Sequence, residues 1–299
     1  MATPQTALDA LRQRTIVDCD TMDEQVAKTF GPFQDCTSNQ PAHKDLITAS
    51  VKEAIELSPK FPGPASRNWP SRLQYTIKLA LKIAPHITGY IHIQTNPYYS
   101  YSTTKTFTNA WRIIHLTQHL APTLPQSRIC IKIPSTWEGL LACSLLEASG
   151  VRTLATTLFT LTQAALAAEV GCTYVAPYVN QLKVHFEPGI QTYYHAINSR
   201  TQVLPASLTS TDEILALAGV HHMAIAPGLL QQLAALPASA AAMLHAPGSF
   251  RDDEAGYRLA FSREGRGESE GKLAQAVSIL CEMQDRLVQM MGLVLKGGA

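Results

Sequence analysis

The sequence predicts one α/β domain folded as a (β/α)8 barrel, and two observations support that prediction. Short apolar segments alternate with longer segments of helical periodicity along most of the 299 residues. The short segments number eight, which is the number of parallel strands that closes such a barrel. We expect these strands at 15–20, 34–39, 87–95, 128–134, 151–157, 173–178, 202–207 and 222–227.

Helical spacing between and after these strands completes the pattern. Polar, glycine-rich residues at 262–271 read as a loop before a C-terminal helix at 272–295, whose apolar face should dock on the barrel or on a second subunit. We expect a single domain over residues 1–299, with residues 1–14 as an N-terminal extension. The other predicted helices lie at 71–83, 137–149, 160–170 and 211–218.

Composition excludes several classes of protein. The 24 Lys and Arg residues nearly balance the 23 Asp and Glu residues, so neither a nucleic acid nor an anionic membrane is an expected partner. No apolar run is long enough for a transmembrane helix, and residues 1–14 lack the core of a signal peptide, which favours the cytoplasm. The six cysteines form no C-x-x-C pair, and the adjacent His221 and His222 should point to opposite faces of a strand. We therefore expect reduced thiols and no metal site.

The segment RICIKIPSTWEG at 128–139 carries the most informative residue, Lys132. Side chains alternate along a strand, so Lys132 should point into the barrel, near the carboxyl end where barrels keep their active sites. Burying an ammonium ion is costly, which favours the neutral amine that forms Schiff bases. Two other roles for Lys132 stay open at this point: reaching solvent at the strand end, or pairing with a buried carboxylate.

Several segments, in order and spacing, resemble the transaldolase family: TIVDCDTMD, QDCTSN, KIPSTWEG, TLFTLTQA, VAPYV and ILALAGVHHMAIAP. The resemblance implies a (β/α)8 barrel in which Lys132 forms a Schiff base with a small-molecule carbonyl substrate. It also implies that Asp20 moves the proton of the hydroxyl beside the bond that is made or broken. No cofactor is then needed, and family habit favours a homodimer.

Departures from the family are expected on the third strand. Transaldolases keep a glutamate there, and Tyr90 is assigned to its place, on one face with His92 and Gln94. These three side chains could donate or relay protons instead. His92 is the candidate acid or base because imidazole titrates near neutrality, although a structural core histidine is an equally open reading.

The sugar-phosphate site also differs. Gln181 and Thr209 stand where the family has two phosphate-binding arginines, and Leu154 and Ala176 replace an asparagine and a serine. Losing both arginines removes charge-assisted contacts to phosphate. We therefore expect an unphosphorylated, partly apolar substrate. The candidate substrate-binding residues are Asn39, Gln94, Gln181 and Ser207.

Tyr178 and Thr156 resemble the aldolase branch of the family, in which a tyrosine and a threonine hold the catalytic water. We predict an aldolase-like enzyme acting on a carbon–carbon bond in a specialised biosynthetic pathway. One alternative is an ordinary transaldolase of sugar-phosphate metabolism that binds phosphate through Lys183 or Arg200. Another is a non-catalytic barrel that serves as a binding protein.

Overall fold

The strands in the described part of the chain all pair in parallel. A computed structural model describes residues 6–37, 69–179, 187–237, 254–255, 257–258 and 268–295. Each described strand falls on a segment that the sequence predicts. The strands are β1 Ile16–Cys19, β2 Ile91–Gln94, β3 Ile129–Pro134, β4 Arg152–Leu158, β5 Tyr174–Pro177, β6 Gln202–Val203 and β7 His222–Ile225.

Helices follow most strands, as the alternating pattern predicts. The predicted loop at 262–271 is wrong over its last four residues, because the C-terminal helix already begins at Glu268. The helices are α1 Ala7–Arg12, α2 Glu24–Phe30, α3 Trp69–Ile83, α4 Thr103–Leu120, α5 Trp137–Ala148, α6 Leu161–Glu169, α7 Glu187–Ala196, α8 Thr211–Ala216, α9 Pro227–Ala235 and α10 Glu268–Leu295.

Backbone hydrogen bonds link the strands, each to the next, into a closed ring. Strands β2 to β6 form one run in chain order, and β1 pairs with β7. The segment 33–37 supplies the eighth stave, since Cys36 bridges both Cys19 and Ile91. On the other side, the Ala224 backbone N–H donates to the Pro205 carbonyl over 3.0 Å, which joins β7 to the end of β6. The eight predicted staves thus form the α/β barrel that the sequence predicts.

Side-chain alternation divides the apolar core in two. Along β3, Ile129, Ile131 and Ile133 join the large cluster shared with the surrounding helices. A separate cluster fills the barrel interior, as the predicted face assignment requires. Its buried members are Cys130, Leu154, Tyr174, Ala176, Leu204, Ala206 and Ala224.

The first and last helices pack against this barrel. In α1, within the predicted 1–14 extension, Leu8 and Leu11 are buried, and the Ala7 N–H donates to the carbonyl of Leu236 just after α9. In α10, Leu273 and Val277 pack on Phe159 beyond β4. The prediction that the C-terminal helix docks through its apolar face is therefore confirmed.

Candidate active site

Lys132 lies inside the barrel between a polar residue on one neighbouring strand and an apolar residue on the other. In register, it pairs with Gln94 of β2 and with Leu154 of β4. The residue is only 4% exposed, and its Nζ donates to Thr37 Oγ1 over 3.2 Å. The amine is therefore directed into the barrel near the carboxyl end of its strand and does not extend into solvent.

Asp20 provides a carboxyl group close to this amine. It directly follows β1, where its backbone N–H donates to the Ile225 carbonyl over 3.2 Å. Burial raises the pKa of the Asp20 carboxyl, and the positive charge of Lys132 lowers it in part. A carboxyl with a raised pKa beside an amine is suited to accept and return a proton during catalysis.

Thr156 and Tyr178 form the second pair of site residues. The Thr156 hydroxyl lies 3.4 Å from the Tyr178 hydroxyl, so two groups that can orient water converge at this point. The Tyr178 ring packs edge-on against Phe159, with ring centroids 5.6 Å apart. Because Phe159 also contacts α10, the C-terminal helix helps to position this tyrosine.

A β-bulge next to Thr156 sets its position. The register between β4 and β5 shifts between Ala155 and Leu158, and Thr157 takes a left-handed φ of 53°. A β-branched residue rarely adopts this conformation, so surrounding contacts must hold it. Gln163 does so by donating to the carbonyls of Ser135 at 2.9 Å and Thr157 at 3.2 Å. The only sequence signal for this arrangement is the Thr-x-x-Gln spacing of the helix cap that includes Gln163.

The three predicted third-strand residues lie at different heights along the strand. Gln94 is the register partner of Lys132. His92 pairs with Cys130, which lies two residues before Lys132 along β3. Tyr90 precedes β2 and is separated from the level of Lys132 by four residues, or about 13 Å along the strand. The structure therefore does not bring Tyr90 to the amine. The third-strand group beside Lys132 is the Gln94 amide.

Tyr90 instead reaches the amino-terminal end of the barrel. There it lines a cavity of about 650 Å³ together with Arg152, Gly171 and Arg200. Arg200 thus lies at the end of the barrel opposite to Lys132 and is not placed to bind a substrate phosphate. This corrects the alternative assignment of Arg200.

The structure describes some of the remaining substrate-binding candidates and not others. Ser207 follows Ala206, whose bridge to Tyr178 places it at the carboxyl end of the barrel. Thr209 is engaged elsewhere, since its Oγ1 donates to Glu213 over 2.9 Å at the start of α8. The predicted residues Asn39, Gln181 and Lys183 lie outside the described residues.

Two buried carboxylate–imidazole pairs lie below the reactive level. His222 Nδ1 is 2.7 Å from Asp18 Oδ2, and His92 Nε2 is 3.2 Å from Asp35 Oδ2. The other carboxylate oxygens accept backbone N–H groups, Asp18 Oδ1 from Asp35 and Asp35 Oδ1 from Tyr90.

Asp18, Asp35 and His222 hold their ligand atoms within 4.8 Å of one another, which is compatible with a metal ion. The hydrogen bonds to imidazole and backbone N–H groups account for this cluster, so we assign no metal here. His221 points to the other face, where its Nδ1 accepts the Val203 N–H over 3.2 Å, and the predicted division of the adjacent pair is confirmed.

The described part of the chain contains no helix that could span a membrane. No helix there combines the length and apolar character that crossing a bilayer requires.

Comparisons with known proteins identify the family. The model of the Transaldolase/Fructose-6-phosphate aldolase family matches residues 17–263. A transaldolase of Gloeobacter violaceus is 33% identical over 260 residues, which cover 77% of this chain and 66% of that relative. Transaldolase B of Pasteurella multocida is 29% identical over 332 residues, covering 96% of this chain and 98% of the relative. A transaldolase of Prochlorococcus marinus is 30% identical, covering 76% and 75% of the two chains.

These matches agree with the geometry of the buried lysine and its carboxyl neighbour. Enzymes of this family need no cofactor, because a lysine Schiff base supplies the electrophile. The chain belongs to the transaldolase/fructose-6-phosphate aldolase family and is an enzyme of the transaldolase/aldolase type.

Proposed function

We propose that the enzyme makes or breaks a carbon–carbon bond next to a carbonyl group through an iminium and enamine on Lys132. The observation that carries this proposal is the buried amine itself, which is held by Thr37 Oγ1 at 3.2 Å and lies beside the Asp20 carboxyl. A nucleophilic amine and a proton-transferring carboxyl within one enclosed space are the two groups that such a reaction needs.

The reaction starts when the neutral Lys132 amine attacks the substrate carbonyl. One proton is taken up from solvent and one water molecule leaves, which gives an iminium ion. The resulting iminium withdraws electrons from the adjacent carbon–carbon bond. The Asp20 carboxylate takes the proton of the hydroxyl on the far carbon as that bond breaks, which releases an aldehyde and leaves an enamine. The enamine then either takes a proton or attacks a second aldehyde, whose oxygen receives the proton held by Asp20. Water hydrolyses the new iminium, which frees the Lys132 amine and returns a proton to solvent.

Water must be positioned for both imine formation and imine hydrolysis. We assign this role to the hydroxyls of Thr156 and Tyr178, which lie 3.4 Å apart and can share one water molecule. The Gln94 amide, level with Lys132, can donate to the substrate or to the same water. His92 and Tyr90 take no direct part in this scheme because both lie below the reactive level.

We further propose an unphosphorylated, partly apolar substrate from a specialised biosynthetic pathway. Leu154 stands level with Lys132 and offers only carbon to a bound substrate, and Ala176 belongs to the same interior cluster. Apolar walls favour a substrate with fewer hydroxyl groups, since each unpaired hydroxyl loses its hydrogen bonds to water on binding. The hydroxyl of Thr209 is already bonded to Glu213.

The second candidate is transaldolase activity on a phosphorylated sugar. The names of the relatives support it directly, since the three compared proteins are transaldolases. In this case the phosphate-binding groups would come from residues 180–186, which include Gln181 and Lys183. A non-catalytic binding role is the weaker candidate, because a binding site for a small molecule does not require a buried lysine amine.

Reductive trapping separates these candidates. The enzyme is incubated with cyanoborohydride and one of four donors, namely fructose 6-phosphate, fructose, dihydroxyacetone or hydroxyacetone, and the Lys132 peptide is analysed by mass. We expect adducts with unphosphorylated donors, most readily with hydroxyacetone, and none in Lys132→Met. Lys105→Met, on the exposed start of α4, is the matched control and should trap normally.

Two other outcomes of this trapping experiment would contradict the proposal, one on the substrate and one on the Schiff base. Preferential trapping of fructose 6-phosphate would support the phosphorylated substrate, and no adduct with any donor would support a binding protein. Leu154→Asn adds a hydrogen-bonding group level with the amine. It should shift donor preference toward the more hydroxylated ketoses if Leu154 lines the substrate.

We also propose that the enzyme is a homodimer located in the cytoplasm. The buried state of five of the six cysteines suits a compartment that keeps thiols reduced. Sedimentation of the purified protein at several concentrations would test the dimer, and a single species of 32.5 kDa would contradict it.

A further inference from the structure

The layer of side chains directly below the amine carries two carboxylates and two imidazoles. We call Asp18, His222, Asp35 and His92 the lower layer. Their side chains are at most 1% exposed, so water cannot screen their charges. The pairs join strands that are far apart in sequence, β1 with β7 and the 33–37 segment with β2.

Thr37 connects the lower layer to the reactive level. It follows Cys36, whose bridges to Cys19 and Ile91 place Thr37 beside Asp20 on one side and His92 on the other. Its Oγ1 accepts from the amine of Lys132. His92 lies two residues before Gln94, the register partner of Lys132, and Asp18 lies two residues before Asp20 on the same face. A change of charge in the lower layer therefore changes the electrostatic potential at the Lys132 amine.

Two other ionisable groups around the lower layer, Cys130 and Tyr174, do not supply charge. Burial raises the pKa of Cys130, and burial together with the nearby Asp35 carboxylate raises the pKa of Tyr174, so both stay neutral at physiological pH. The ionisable groups that face the interior are, element by element, Asp18 in β1 and Asp20 just after it, Asp35 in 33–37, Tyr90 just before β2 and His92 in it, Cys130 and Lys132 in β3, Tyr174 in β5 and Tyr178 just after it, and His222 in β7.

We propose that His222 and His92 are positioning residues that balance the charges of Asp18 and Asp35 beneath Lys132, so that the amine can lose its proton. This inference rests on the Schiff-base function proposed above. Two uncompensated carboxylates below the amine would favour its ammonium form and suppress attack on the carbonyl. An imidazole hydrogen-bonded to each carboxylate offsets this effect without placing a second cation at the reactive level.

The environment of the β1–β7 pair supports proton sharing. Burial lowers the pKa of His222, but its hydrogen bond to Asp18 and the charge of that carboxylate raise it to a greater extent. Burial likewise raises the pKa of Asp18 above its usual range. Both shifts favour one proton held between the two groups near neutral pH, which leaves the pair without net charge.

The test is the pH dependence of reductive trapping on Lys132 with the donor that the wild-type enzyme accepts. His222→Gln leaves Asp18 uncompensated, and we expect the midpoint of the trapping rate to rise by about one pH unit. That is the size expected for a unit charge on the order of 10 Å away at an effective dielectric of about 20. The double variant Asp18→Asn with His222→Gln removes both charges and should return the midpoint to the wild-type value.

The control is His221→Gln, the same change at the adjacent residue on the outer face, which should leave the midpoint unchanged. A purely structural role of His222 would lower the melting temperature of His222→Gln without moving the midpoint, and this result would overturn the inference. If His222→Gln does not fold, His92→Gln tests the second pair with the same expected sign. Absence of trapping in the wild-type enzyme would instead refute the Schiff-base function itself.

Discussion

Replacing Gln163 with leucine should strongly destabilise the fold around the β4 bulge. Gln163 is fully buried, and its side chain bonds four backbone groups. Its Oε1 accepts the N–H groups of Phe159 at 2.7 Å and Thr160 at 3.1 Å. Its Nε2 donates to the carbonyls of Ser135 and Thr157. Leucine preserves most of the volume of this side chain but can make none of these bonds.

The expected cost follows from these four groups. Each buried backbone group that loses its partner costs about 1 kcal/mol, so Gln163→Leu should lower the free energy of unfolding by about 3 to 4 kcal/mol. Urea denaturation followed by circular dichroism measures this change directly. The matched control is Gln191→Leu, since the Gln191 side chain bonds two backbone groups but is only half-buried. Water can replace those bonds, and the control should lose at most about 1 kcal/mol.

A loss below about 1 kcal/mol in Gln163→Leu, or one no larger than in Gln191→Leu, would refute this reasoning. It would mean that Thr157 keeps its left-handed conformation without help from Gln163. The folded fraction of Gln163→Leu should also hydrolyse its Lys132 imine slowly. Thr156 directly precedes the residue that the glutamine holds, so its hydroxyl should no longer meet that of Tyr178.

Three further predictions concern single side chains. In Asp20→Asn, kcat should fall about 100-fold or more, and the acid limb of the pH–rate profile should vanish. That limb lies above the usual carboxyl range, because burial raises the pKa of Asp20 and the carboxylate form must take the proton; an unchanged limb would exclude Asp20. Tyr178→Phe should slow imine hydrolysis about tenfold in single-turnover measurements while leaving the unfolding midpoint unchanged, and equal rates would remove Tyr178 from the water site. Glu147→Ala should cost about 3 kcal/mol in urea denaturation, since Glu147 Oε1 accepts N–H and hydroxyl groups from both Thr153 and Thr173; a loss under 1 kcal/mol would contradict this.

Alternation along the strands predicted which face each residue occupies. It placed Lys132 inside and the three isoleucines of β3 outside, and it separated His221 from His222. These predictions succeeded because the alternation of a strand is a local property with a fixed period of two residues. The barrel itself was predictable for a related reason, since a regular succession of strands and helices admits few other architectures.

The height of a residue along its strand was harder to predict. Tyr90, His92 and Gln94 share a face, and parity alone cannot tell which of them is level with Lys132. That level depends on the stagger between β2 and β3, which is set by pairing between strands and not by either strand alone. The same limitation explains Arg200, which lies near β6 in sequence but at its amino-terminal end.

Long-range pairing was not predictable from the sequence at all. Asp18 and His222 are separated by 204 residues, and nothing near either of them indicates the other. The sequence leaves open that His92 is a core histidine hydrogen-bonded to a neighbour, but it does not indicate the partner, Asp35, which lies 57 residues away in the chain. The β4 bulge at Thr157 was hidden for the same reason, because its strain is supported by contacts from α6 and from the end of β3.

The seating of α10 on Phe159 has a consequence for synthesis of the chain. Tyr178 packs on Phe159, and Phe159 in turn is covered by Leu273 and Val277, which come more than one hundred residues later in the chain. The ribosome therefore delivers the barrel staves well before it delivers the helix that completes the wall beside the reactive amine. A growing chain can form its sheet before α10 is made, but it should gain the ability to turn over substrate only after α10 has docked on Phe159.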